Sequence, residues 1–230
     1  MNLEVAGSSP AEITNSFCQI GDFDLKISLS GLFFFVSLAG CVTADAERYL
    51  QRDLPSKTSM GFKLDGTSLT MSGSVRGPEC QMLKTIFRER PIKTIILQDS
   101  RGGRASTGYC VGEFIREKNI ETIISGYCHS SCSRMWLGGV KRSLYDGARV
   151  GLHGHYDKGK LLAYAPKKLE SWIPKMAPEV NKELLAKWAR LPTNKDYYFF
   201  YNDVLEICLN DSCKYDWDWN VRSAGLSNKD

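Results

Sequence analysis

Three short stretches of this sequence carry residue types that could act together on an acyl group. Asp99-Ser100-Arg101-Gly102-Gly103 ends in a glycine pair. Gly126-Tyr127-Cys128-His129-Ser130-Ser131-Cys132 presents serines between two cysteines, and Arg149-Val150-Gly151-Leu152-His153 ends in a histidine. A serine hydroxyl becomes a nucleophile when a neighbouring base takes its proton, and imidazole does this at neutral pH. A Gly-Gly turn lets backbone N–H groups converge where an acyl oxygen gathers negative charge. A serine where a strand passes into a helix lies beside unpaired N–H groups that favour the same charge. Each feature also has a structural reading. A serine before a helix is usually a cap, and Gly-Gly turns and single histidines are common without catalysis.

Each stretch sits at the end of an apolar segment of strand character: 92–97, 120–125 and 149–152. Helical spacing of apolar residues separates them. Met82, Leu83, Ile86 and Phe87 share one helix face, and 107–118 and 130–137 also read as helices. Short alternation with glycine punctuation over 62–77 predicts two strands, and Gly77-Pro78 a turn into the first helix. Strands alternating with helices over short connections predict an α/β core. The region 161–206 reads as mostly helical, including 194–207. No internal repeat is present.

The order and spacing of the three motifs resemble the proteolytic subunit of Clp protease and the wider crotonase-like superfamily. The family's N-S-P-G-G turn stands here as Asp99-Ser100-Arg101-Gly102-Gly103, with Gly108 following. Its G-x-A-A-S stands as Gly126-Tyr127-Cys128-His129-Ser130, with Gly139 and the pair Lys141-Arg142 beyond. Gly225-Leu226 match the closing family motif, although Val221 replaces its alanine. The resemblance spans about residues 62–228 and is weakest in the last third. It implies an α/β fold of stacked strand–helix (ββα) units in a superhelix, with a mostly helical C-terminal part. It implies Ser130 as nucleophile, His153 as base, and Gly102, Gly103 and Ser131 as oxyanion donors. The third triad member should follow His153 at the family's spacing. Asp203 answers that, beside Asn202, with Asp196 as a lesser option. Family members assemble into rings, so a homo-oligomer is implied. Arg101 in place of proline, and Cys128 and Cys132 bracketing Ser130, depart from the cytosolic pattern. Three other readings stay open: a Ser–Lys dyad using Lys141, a thiol site at Cys128 and Cys132, and a silent fold that binds or assembles.

The sequence outside the motifs bears on location. Lys26 precedes an apolar run ending in Leu38-Ala39-Gly40-Cys41, which resembles a bacterial lipobox. The run fits a signal peptide better than a membrane span. The predicted organisation is a leader at 1–40, a tether at 41–60 and a domain at 61–230, with Cys41 carrying a lipid anchor in the envelope, facing the periplasm. Loss of Cys18 with the leader and lipidation of Cys41 leave six of the eight cysteines, enough for three disulfides in an oxidising compartment. The close pairs Cys208 with Cys213 and Cys128 with Cys132 are the first expected. Paired C-x-x-C motifs are absent, which argues against a zinc ribbon. The net charge of +4 comes without a basic, aromatic-interleaved run, so nucleic acid is not an expected partner. Together these features predict an exported serine hydrolase acting on a peptide or envelope substrate without ATP, a cofactor or a metal.

Overall fold

A computed structural model describes residues 60–228. The leader, Cys41 and the tether up to residue 59 lie outside the described residues. Strands β1 (Met60–Asp65) and β2 (Ser68–Val75) form an antiparallel hairpin. β2 runs parallel to β3 (Thr94–Gly103), and β3 parallel to β4 (Glu121–His129). Parallel neighbours need a crossover, and helices supply it: α1 (Glu79–Glu89) joins β2 to β3, and α2 (Ala105–Glu117) joins β3 to β4. α3 (Ser131–Leu137) follows β4 and leads to β5 (Arg142–Leu144) and β6 (Arg149–Leu152), both parallel to β4. β7 (Tyr156–Asp157) and β8 (Lys160–Leu161) form a small ribbon, and α4 (Ala165–Met176) and α5 (Lys182–Ala189) follow. The chain then returns to the main sheet as β9 (Tyr197–Phe200), β10 (Leu205–Leu209) and β11 (Ser212–Asp216). The fold is mixed α/β: a nine-stranded sheet in the order β1-β2-β3-β4-β6-β9-β10-β11, with β5 beside β4, and five helices among the described residues.

The helices form where apolar spacing gives them a face to bury. α1 buries Met82, Leu83 and Ile86, and each fully buried large apolar side chain contributes about 1.5–3 kcal/mol. The Glu79 carboxylate, itself buried, accepts the N–H groups of Arg76 and Gly77 at 2.9 and 2.7 Å, tying the turn to the helix start. Asn181 caps α5, accepting the Leu184 N–H at 2.9 Å. None of the described helices is long and apolar enough to cross a membrane.

The C-terminal part corrects the sequence reading. The segment 194–207, read there as helical, instead contributes β9 and the start of β10. In Tyr-Tyr-Phe-Phe almost every position is apolar, so spacing alone does not separate the two periods. Burial alternates along β9, Tyr198 and Phe200 being buried and Tyr197 and Phe199 half-buried. This aromatic run suits a pleated surface. The turn after β10 uses Asn210 and Asp211, both at positive φ (52° and 61°), as a two-residue hairpin with right-handed twist requires.

Three disulfides join Cys80 to Cys110, Cys128 to Cys132 and Cys208 to Cys213. The last closes the β10–β11 hairpin between directly opposed residues. The first ties α1 to α2. Arg142, buried beneath the C-terminus, donates to the carbonyls of Leu226 (2.7 Å), Gly139 (2.8 Å) and Met176 (3.2 Å). It thereby ties the Lys141-Arg142 and Gly225-Leu226 motifs together.

Candidate active site

The strands run further than their apolar segments, and their last residues form the site. At one level of the sheet β2, β3 and β4 all depart from regular register: between Ser72 and Ser74, and between Gln98 and Ser100 opposite β4. Asp99 has φ 46° and Gly126 φ 78°. A Cβ on residue 126 would fall 2.1 Å from Asp99 Oδ1 and would have to displace that side chain, and the positive φ itself favours glycine where the two irregular strands meet. Beyond this level the chain is re-aimed, and Gly103 at the end of β3 and Ser130 just after β4 reach the cavity.

Ser130 is the hinge between β4 and α3, with φ 56° and ψ −122°. A non-glycine residue there is strained, and such strain persists only when the surroundings hold it. Here they do. The Ser130 N–H donates to the Gly151 carbonyl at 2.9 Å, and its own carbonyl accepts the Ser133 N–H at 3.1 Å and the Ser133 hydroxyl at 2.5 Å. The Cys128–Cys132 disulfide spans the turn from beneath, with both cysteines fully buried. The Ser130 side chain is left facing a cavity of about 280 Å³, whose lining includes Gly103, Arg134, His153, His155 and Tyr156.

Ser131 is the first residue of α3, where a backbone N–H has no partner within the helix. Gly102 lies against it. A Cβ at 102 would sit 2.8 Å from the Ser131 nitrogen, 2.8 Å from Ser130 Cβ and 2.4 Å from the His129 carbonyl oxygen, with φ 81°. Any side chain at 102 would therefore displace the serine turn. The glycine pair thus serves close approach of backbones, and Gly103 lines the same cavity as Ser130.

His153 follows β6 directly and is 6% exposed. Neither ring nitrogen has a hydrogen-bond partner. The ring is held by stacking instead, against Tyr156 (centroids 5.1 Å apart, 17°) and Tyr197 (4.4 Å, 32°). Burial, then the Arg134 guanidinium, lowers its pKa from 6.5 to about 3, so the imidazole is neutral at physiological pH. His155 is buried beside it, hydrogen-bonded to the Tyr109 hydroxyl at 2.8 Å, with its pKa lowered to about 3 chiefly by burial.

The structure does not bring Asp203 to His153. Asp203 is exposed in the turn between β9 and β10 and lines a different cavity, with Asp146, Tyr215 and Trp217. Because 194–207 forms a hairpin rather than a helix, the residue at the family's spacing falls at the far end of β9. Asn202, in the same turn, donates to the Leu144 carbonyl at 3.3 Å. Asp196 is buried but spent: its oxygens accept from the Thr193 N–H and hydroxyl and from the Asn210 N–H at 2.8–3.0 Å. Tyr197, next along the chain, occupies the flank of His153.

His129 points into an aromatic cluster of Tyr127, Tyr197 and Phe199, away from the serine cavity. Burial lowers its pKa to about 4. Lys141 is largely exposed and pairs with Glu121 at 3.4 Å, and no lysine lines the cavity, so no Ser–Lys dyad is assembled. The cysteines proposed as a thiol site are bonded to each other. The one group of metal-ligating residue types among the described residues, Glu206 with Cys208 and Cys213, has its two sulfurs joined in a disulfide. Arg134, buried in α3 and lining the cavity, was not picked out from the sequence. Its signal was a single charge inside Ser-Cys-Ser-Arg-Met-Trp-Leu, a helix whose every residue is buried.

No protein-family model matches this chain, and no curated protein matches it. Among solved structures it is similar to a mutant ClpP1 from Listeria monocytogenes, at 13% identity, with 71% of this chain and 90% of that one covered and a TM-score of 0.47. It is also similar to a putative enoyl-CoA hydratase from Streptomyces coelicolor, at 12% identity, with 43% of this chain and 50% of that one covered and a TM-score of 0.31. These are likenesses of chain path at low identity.

Proposed function

We propose that this protein is an exported serine hydrolase, an ATP-independent peptidase working through Ser130 and His153. One observation carries the reading: Ser130, on a strained strand-to-helix turn, opens into the same cavity as His153 and Gly103. In the mechanism Ser130 Oγ attacks an acyl carbonyl while its proton passes to His153. The carbonyl oxygen, now negative, takes N–H donors from Ser131 and Gly103, while the Gly102 N–H is donated to the Ser100 hydroxyl at 3.2 Å and supports the turn. The protonated His153 then releases its proton to the leaving amine. Water, deprotonated by the same imidazole, hydrolyses the acyl-serine and restores the hydroxyl. The neutral state of His153 is the one this role needs.

The test is labelling with a fluorophosphonate, which reports an activated serine without knowledge of the substrate. Oxidised wild-type protein should label, and Ser130→Ala and His153→Ala should not. Absence of labelling in the folded wild type would overturn the hydrolase reading. A second reading, a catalytically silent fold with a binding or assembly role in the envelope, is favoured by the bare ring nitrogens of His153.

We assign the chain to the bacterial envelope as a lipoprotein anchored through Cys41 and facing the periplasm. The lipobox-like Leu38-Ala39-Gly40-Cys41 and the three disulfides support this. ATP and an unfoldase are absent from that compartment, so the substrate is a peptide or an envelope molecule rather than a folded protein. A homo-oligomer is proposed on the family resemblance. Metabolic incorporation of an alkyne fatty acid, lost in Cys41→Ser, tests the anchor.

A further inference from the structure

Arg134 is the fourth residue after Ser130 and shares its side of α3. It is 2% exposed and yet lines the serine cavity. Its Nη2 donates a long hydrogen bond to the His153 carbonyl at 3.4 Å, and its Nε has no partner. The guanidinium lies 5.5 Å from the centre of the Tyr109 ring and also meets its hydroxyl, a neutral partner that leaves the charge uncompensated. None of the four ion pairs among the described residues includes it. The cavity lining holds no aspartate or glutamate, and its other cation is Arg104, exposed at the rim. Glu113, the carboxylate near Tyr109, is engaged with the Trp172 indole N–H at 2.9 Å. His153 and His155 are neutral, and Lys168 sits on the Tyr109 ring. A buried guanidinium without a carboxylate is costly, and a planar fork of donors is matched by a carboxylate better than by any neutral group.

We propose that Arg134 binds a carboxylate of the substrate, making the Ser130 cavity selective for an acidic residue or a chain-terminal carboxylate beside the group presented to the serine. The proposal rests on the site read above as a hydrolase centre and names its substrate class. The cavity's size suits one residue, with Tyr156, Leu162 and Tyr164 as walls.

Binding tests this without relying on turnover. Full-chain oxidised protein carrying Ser130→Ala is titrated calorimetrically with three probes: N-acetyl-glutamate α-amide, its glutamine counterpart and N-acetyl-alanine. The first carries a side-chain carboxylate, the last a terminal one, and the glutamine compound neither. At least one carboxylate probe should bind about tenfold or more tightly than the glutamine probe. Arg134→Met should erase that preference, and Arg134→Lys should keep part of it. Equal binding of all three, or a preference that survives Arg134→Met in a folded protein, would overturn the proposal. Should Arg134→Met not fold, the comparison of charged with neutral probes decides alone. Carboxylate preference in a protein that never labels with fluorophosphonate would support Arg134 as a recognition residue while removing the hydrolase reading.

Discussion

The two walls of the cavity are built in different ways. On the serine wall the hold is on the backbone: a residue at positive φ clamped by the Gly151 and Ser133 hydrogen bonds, with a disulfide beneath it and Gly102 pressed against its flank. On the histidine wall the side chain is held by faces of aromatic rings, and no carboxylate orients it. A hydrogen-bonded carboxylate fixes the tautomer and stabilises the imidazolium; stacking fixes only the plane. The serine is therefore held at several points along its backbone, while the histidine is oriented by ring packing alone in an environment hostile to positive charge.

The sharpest way to probe this contrast is to remove the serine. Ser130→Ala should abolish fluorophosphonate labelling, a loss of about a thousandfold or more, with no drop in melting temperature beyond that expected from one half-buried hydroxyl. Next, Gly102→Ala should slow labelling by about a hundredfold and destabilise the fold, because its Cβ enters the space of the Ser131 nitrogen and Ser130 Cβ. Labelling rates beside thermal melts separate the two effects.

Acid probes the histidine wall. Burial holds the pKa values of His129, His153 and His155 at about 4, 3 and 3, against 6.5 for the free side chain. His153 stays neutral as pH falls, so labelling should be flat from about pH 8 to pH 5 in folded protein. The unfolded chain meanwhile binds protons that the native state refuses. Stability should accordingly decline progressively as pH drops from about 6.5 towards 3, lowering the melting temperature by more than about 5 °C by pH 4.5.

Removing Cys128–Cys132 by a double serine substitution should cost about 2 kcal/mol, and removing Cys80–Cys110 about 3–4 kcal/mol, since the longer loop restrains the unfolded chain more. Chemical denaturation measures both. Labelling should slow in the first variant and not in the second, because only the first bridge braces the serine turn. Asp203→Asn is the smallest expected effect, under about twofold on labelling, since that side chain faces solvent in another cavity.

Sequence reasoning reached the serine wall more fully than the histidine wall, for a physical reason. Turns, glycine pairs and strand-to-helix junctions are local, and Gly102-Gly103, Gly126 and Ser130 could be placed from neighbours along the chain. The two short-range disulfides were legible for the same reason, whereas Cys80 with Cys110 depends on the packing of α1 on α2. What surrounds His153 is non-local. Tyr197 arrives on a strand that the apolar run did not distinguish from a helix, and Arg134 gains its meaning from burial that no single-residue property announces. Spacing along the chain placed Asp203 near His153, but spacing carries over only where the intervening elements are of the same kind.

The three bridges also differ in the length of chain each one closes. Cys128 with Cys132 and Cys208 with Cys213 close loops of a few residues, encounters that recur on a timescale of about 10–100 ns in a flexible chain. Cys80 and Cys110 are separated by 30 positions that include β3, and their loop closes at a larger entropic cost. In loop entropy alone, the turn and hairpin clasps cost less to close than the bridge that joins α1 to α2.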